Sequence, residues 1–132
     1  MNKVVARFLG DTLIKGTTDD FFSGAEFFHL SILGAPAEEK PFKIYTKNLK
    51  ALFFVKDFLG DSHYVNRNEF DPKYPPIGLK IRVEFKDGEV LVGSSTEYQP
   101  GRMGFFLLPA DRNTNNELCY VVLEATKDIR IL

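Results

Sequence analysis

Five lysines crowd one short stretch of the chain, Lys40, Lys43, Lys47, Lys50 and Lys56, with Tyr45 and Phe53 among them. Ammonium groups interleaved with aromatic rings can hold a phosphate backbone while bases stack on the rings. Lys43, Tyr45, Lys47 and Lys50 are therefore the candidate nucleic-acid face. The same lysines would also keep an exposed strand edge from pairing with other chains. Charge favours the second account. The net charge is −1, residues 1–66 hold eight basic and eight acidic side chains, and residues 67–132 hold nine and ten. A dedicated nucleic-acid binder carries a basic excess.

Other groupings are weaker. Asp111, Asn113, Asn115 and Glu117 alternate like the first half of a calcium loop. The sixth position is Asn116 rather than glycine and the twelfth is Val122 rather than glutamate, so the sharp turn and the bidentate ligand are missing. A hairpin loop that uses asparagine for its turn is the better account. Asp57, Asp61 and His63 follow no metal-ligand spacing, and His29 lies in an aromatic strand. Cys119, the single cysteine, is flanked by Leu118 and Tyr120 and reads as a small buried hydrophobe. Gly93-Ser94-Ser95 lacks the frame of a nucleophile elbow. Gly101-Arg102-Met103-Gly104 lacks the helix that a phosphate loop needs. Arg102, Arg112 and Tyr98 could line a pocket for a small molecule or nucleotide. No acid, base and nucleophile set stands out, so the expectation is a protein without catalytic residues, metal or cofactor.

Aromatic residues make up 14% of the chain, 13 Phe and 5 Tyr. Several stand next to each other, among them Phe21-Phe22, Phe27-Phe28 and Phe105-Phe106. Neighbouring strand residues point to opposite faces, so one member of each pair must meet solvent, another part of the chain or another molecule. Phe21, Phe28, Tyr98 and Phe105 are the candidate interface residues. A protein partner or self-association is the expectation, with nucleic acid as the alternative and no membrane partner.

The elements that would position these residues are strands. Residues 4–8 and 81–85 alternate with period two. Asp87-Gly88 follows in the second copy, the signal of a type I′ turn with positive φ at both positions, and Gly10-Asp11 in the first, an order compatible with a primed turn. Strands at residues 12–18 and 89–95 contain Gly16 and Gly93, glycines that let a sheet bend. Third strands are expected at 26–32 and 104–108, fourth at 42–45 and 119–123, fifth at 49–55 and 129–132. Residues 56–79 hold Pro72, Pro75 and Pro76, yet also Phe58, Tyr64, Phe70 and Tyr74. A free tether would be poor in aromatics, so this segment is expected to pack as a clasp.

The chain is also written twice. Residues 3–30 lie over residues 80–107 at an offset of 77 without a gap. Thr46-Lys47-Asn48-Leu49-Lys50-Ala51-Leu52 resembles Thr126-Lys127-Asp128-Ile129-Arg130-Ile131-Leu132 at an offset of 80. That shift implies three extra loop residues in the second copy. A repeat of about fifty residues is marginal alone, so the copies should pack together. The expectation is an all-β fold of two tandem five-stranded small-barrel repeats, residues 1–55 and 80–132, joined by the 56–79 segment. With one cysteine and no apolar run long enough to span a bilayer as a helix, a cytoplasmic setting is expected.

The stretch from Ile81-Arg82-Val83-Glu84-Phe85 through Lys86-Asp87-Gly88 to Glu89-Val90-Leu91-Val92-Gly93 resembles the first half of an Sm motif, and residues 126–132 resemble its closing strand. The resemblance implies an Sm-like or SH3-like barrel and RNA bases held between an aromatic and a basic residue. This chain departs from it where Asp19-Asp20 and Glu97 follow the bending glycines, since carboxylates there repel phosphate. The chain is also similar to an uncharacterised bacterial family of duplicated small β-domains. Lys15-Gly16-Thr17-Thr18-Asp19-Asp20-Phe21, Phe28-His29-Leu30 and Phe105-Phe106-Leu107-Leu108-Pro109 carry that likeness.

Overall fold

The computed structural model describes residues 1–61 and 63–132. It contains ten strands: β1 Asn2–Phe8, β2 Leu13–Thr18, β3 Phe27–Ile32, β4 Phe42–Tyr45, β5 Leu49–Val55, β6 Leu79–Phe85, β7 Val90–Ser95, β8 Gly104–Pro109, β9 Asn116–Val122 and β10 Thr126–Ile131. Single 3₁₀ turns, Thr46–Asn48 and Leu123–Ala125, precede β5 and β10. Among the described residues, no helix is long and apolar enough to cross a membrane.

The strands form one antiparallel sheet in the order β10-β6-β7-β8-β9-β5-β1-β2-β3-β4. The fold is all-β as expected, but the sheet is open where two closed barrels were anticipated. The reason lies in β5. It pairs with β1 on one side and with β9 on the other, so it is not free to close against β4. Among the described residues, the outer edges of β4 and β10 have no neighbouring strand.

Strand pairing recurs at a single offset of 77. Val4 faces Gly16, and Ile81 faces Gly93. Phe28 faces Ile44, and Phe105 faces Val121. Ala6 faces Leu52, and Val83 faces Ile129. This corrects the offset of 80. Thr46-Lys47-Asn48 forms a 3₁₀ turn, whereas Thr126-Lys127-Asp128 already belongs to β10. The counterpart of the first turn is Leu123–Ala125. The Thr46 N–H donates to the Glu26 carbonyl at 3.0 Å, as the Leu123 N–H does to Met103 at 2.9 Å. The second copy has a longer fourth strand rather than a longer loop. β9 has seven residues to the four of β4, because β9 has a partner on each side.

The hairpin turns also differ from expectation. Asp87 is not at positive φ; Gly88 is, at 93°. The Gly88 N–H donates to Phe85 and the Phe85 N–H to Glu89. The link is a type I turn closed by a left-handed glycine, which spares the aspartate an unfavourable backbone. Gly16 and Gly93 have the same task in both copies. A Cβ on Gly16 would sit 2.1 Å from the Ser31 carbonyl oxygen, and one on Gly93 would sit 2.3 Å from that of Leu108. Only glycine lets β2 and β7 pass so close to the next strand.

Two apolar cores result, and β5 and β9 contribute to both. Ala51, Phe53, Val55, Cys119 and Val121 join Ile81, Val83, Phe85, Phe105 and Leu107. Leu49, Leu52, Tyr120 and Val122 join Val4, Ala6, Phe28, Leu30 and Ile44. The connecting segment packs on the first of these cores through Phe58 and hydrogen-bonds to both copies. The Lys15 ammonium donates to the Phe58 carbonyl at 2.8 Å, and the Tyr64 hydroxyl donates to Asp111. The Asn68 amide accepts from the Val92 N–H and donates to the Val90 carbonyl, both at 3.3 Å. It thereby occupies a stretch of β7 beyond its two pairings with β8.

Candidate interaction surface

The β9–β5 junction sets the pattern for the surface. Above it, the Phe21 ring makes edge contacts with Phe28 at 5.1 Å, Tyr120 at 4.9 Å and Phe106 at 5.9 Å. The Gly24 N–H donates to the Tyr120 hydroxyl at 3.0 Å, and the Ser23 hydroxyl donates to Glu97 at 2.8 Å. The Phe106 and Tyr120 face of the second copy is thus covered by the first.

Moved back by 77 residues, the same face carries Phe27, His29, Lys43 and Tyr45, and none of the described residues covers it. Phe27 is 41% exposed and Tyr45 39%. The Lys43 ammonium lies 4.1 Å from the Phe27 ring centre and 5.2 Å from that of Tyr45. The His29 ring meets Phe27 edge-on at 5.9 Å. Its Nδ1 is 2.7 Å from Asp20, whose other oxygen accepts the His29 backbone N–H at 2.9 Å. Glu97 repeats that backbone contact on Phe106 at 2.8 Å. At Asp20, partial burial works to raise the carboxyl pKa. Hydrogen bonds from His29 and Thr18 outweigh it and hold the group below its usual value. On the other side of β4, Phe42 sits opposite Leu30 at the rim and is 50% exposed.

Of the lysine face inferred from sequence, Lys43, Tyr45 and Lys47 are exposed at this end. Lys50 is elsewhere. It is buried, with its ammonium 2.7 Å from Asp87, in contact with Glu89 and above the Phe85 ring. It ties β5 to the β6–β7 hairpin. Of the four interface candidates, Phe28 and Phe105 are wholly buried core. Phe21 packs at the junction, and Tyr98 packs on Phe105 at 4.9 Å. Arg102 and Arg112 are not brought together. They lie beyond opposite ends of β8, whose six residues span about 20 Å. Arg112 lies over the Tyr74 ring.

The histidines and acids of the proposed loops are engaged locally. Asp111 accepts from the Tyr64 hydroxyl and from the Arg67 and Asn113 backbones. Asn115 clasps the Asp57 backbone through both amide atoms. His63 is exposed, with its N–H on Asp61. Among the described residues, no three His, Cys, Asp or Glu side chains are grouped to hold a metal. Burial pushes the Cys119 thiol well above its ordinary pKa, which leaves it unreactive. Sequence reading missed Phe27, Phe42 and Asp20. The Phe27-Phe28 pair carried the signal, since one ring had to point outward, but strand alternation alone did not say which.

Fold and surface together define an all-β protein with an open sheet, two unpaired edges and an uncovered aromatic face at one end. The chain belongs to the family described as Family of unknown function (DUF6982), whose model matches residues 1–132. No curated protein and no solved structure matches the chain significantly.

Proposed function

We propose that the protein is a non-catalytic binding or scaffolding module that works through protein–protein contacts at its β3–β4 end. One observation carries this reading: Phe27 and Tyr45 face each other, exposed, on one side of the β3–β4 pair, and Phe42 is exposed on the other side of β4, a strand with no outer neighbour among the described residues. Single exposed aromatics are ordinary, whereas a contiguous set marks an interaction site. An open edge supplies backbone donors and acceptors for an added strand, and the aromatics beside it supply selectivity. The test is site-specific photo-cross-linking in cells that express the full chain, with a photoreactive phenylalanine at position 27 or 45. Adducts of defined mass are expected from both positions and not from exposed Val65. Absence of adducts at 27 and 45 would overturn the reading.

A second reading, single-stranded nucleic acid of the Sm-like kind, is favoured by the Lys43 ammonium between two rings. Against it stand Asp19 and Asp20 beside the face and the commitment of Lys50 to Asp87 and Glu89. It requires anisotropy binding to oligo-U that weakens steeply with salt and disappears in Lys43→Ala. Salt-insensitive or absent binding removes it.

A further inference from the structure

We infer that the partner at the β3–β4 end is the β10 end of a second copy of this chain, paired in the register of the internal β9–β5 junction. This rests on the protein–protein reading above and names its partner. β4 corresponds to β9 and β10 to β5 at the offset that reproduces the pairings, so the two free edges are the two halves of a contact the molecule already makes once. In that contact Leu52 faces Tyr120 and Phe53 faces Cys119. Moved by 77, the pairs become Ile129 with Lys43 and Arg130 with Phe42.

Both ends expose apolar surface that such pairing would cover. Phe27, Phe42 and Tyr45 lie at one end, and Ile131 and Leu132, 48% and 58% exposed, at the other. Ile131 stands where Phe54 does, and Tyr98 stands where Phe21 does. An incoming β10 would therefore bring Ile131 and Tyr98 toward Lys43 and His29, as Phe54 and Phe21 meet Tyr120 and Phe106 within the chain. The ion pair itself is not repeated: Lys127 holds the place of Lys50 but lies 3.6 Å from Glu84, and Gly10 and Thr12 hold the places of Asp87 and Glu89, with Asp11 between them. An edge lysine can block pairing. Lys43 instead lies over the Phe27 ring on one face of the sheet, clear of the outward backbone groups. Such a contact is head-to-tail, so it propagates into a ring or a filament according to the rotation between copies.

Phe42→Cys and Arg130→Cys are at exposed positions and test the register directly. Mixing the two purified single variants under mild oxidation should give a disulfide-linked dimer, and the double variant should give a ladder of higher species. The Phe42→Cys and Asp128→Cys mixture, two residues out of register, should give at least tenfold less. Equal yields from the two mixtures, or no cross-link from either, would overturn this inference. A foreign protein captured at positions 27 and 45 would overturn it as well, while leaving the binding-module reading intact.

Discussion

Lys50 shows how one side chain can set the pH range of a junction. Its burial disfavours the charged form, but the hydrogen bonds to Asp87 and Glu89 outweigh this and raise its pKa. Asp87 is lowered, first by the hydrogen bond from Lys50. A raised lysine contributes its full stability below its ordinary pKa and loses it as pH climbs through the folded value. A lowered aspartate contributes above its ordinary pKa and loses it as pH falls through the folded value. The junction is therefore tightest across the neutral range and loosens at both extremes. Lys50→Met should cost about 1.5–3 kcal/mol at neutral pH, the worth of hydrogen bonds to charged groups. The half-exposed carboxylates can rehydrate, so the cost stays below that of orphaning a fully buried charge. Urea denaturation at pH 7 and pH 3 checks this. The variant should lose less stability on acidification than the parent, and an unchanged pH dependence would contradict the assignment. The lysine cluster was visible in the sequence, but its division was not, because Asp87 and Glu89 are 37 and 39 residues away.

The aromatic pairs divide in the same way. Phe28→Ala and Phe105→Ala remove wholly buried rings and should each cost about 3–5 kcal/mol. Phe27→Ala, at the exposed face, should stay within about 0.5 kcal/mol. Denaturant titrations of the three variants decide it, and a Phe27→Ala cost near that of Phe28→Ala would refute the assignment of faces.

At the scale of elements, glycines and one asparagine shape the sheet. Gly16→Ala should cost about 1–3 kcal/mol or more, since its Cβ would meet a backbone oxygen rather than a yielding side chain. A melting temperature equal to that of the parent would show that β2 and β3 can separate freely. Asn68 is the one non-glycine residue at positive φ among those described, at 53°, and its amide makes two bonds to β7. Asn68→Ala should cost about 1–2 kcal/mol and speed hydrogen exchange at the Val92 N–H; unaltered exchange there would contradict the role. Strand positions followed from period-two alternation and turn residues, and they were legible to within about three residues. The clasp was legible in outline through its aromatics. Its anchoring by Asn68 was not, because a side chain that stands in for a strand leaves no periodic trace.

At the scale of the whole molecule, the repeat was plain in residues 3–30 and 80–107, but what the copies do with each other was not. Period-two patterning fixes which strands have a buried face; it does not say whether a fifth strand pairs within its own copy or across to the other. β5 is the instructive case. Leu49 to Val55 is a nearly continuous apolar run, the pattern of a strand covered on both faces, whereas β10 alternates charge with isoleucine. In the structure β5 is interior while β10 and β4, with Lys43 between Phe42 and Ile44, are the edges; the lysines of residues 40–56 pointed to a guarded edge for β5 as well, because Lys50 sits inside its apolar run.

The most direct test of the central claim is amide hydrogen exchange of the intact protein across a concentration series. If the free edges meet head-to-tail, protection of β4 and β10 amides should rise with concentration while that of β5 and β9 stays constant. Exchange at β4 and β10 that is independent of concentration, up to the highest attainable, would show that these edges do not join copies of the chain.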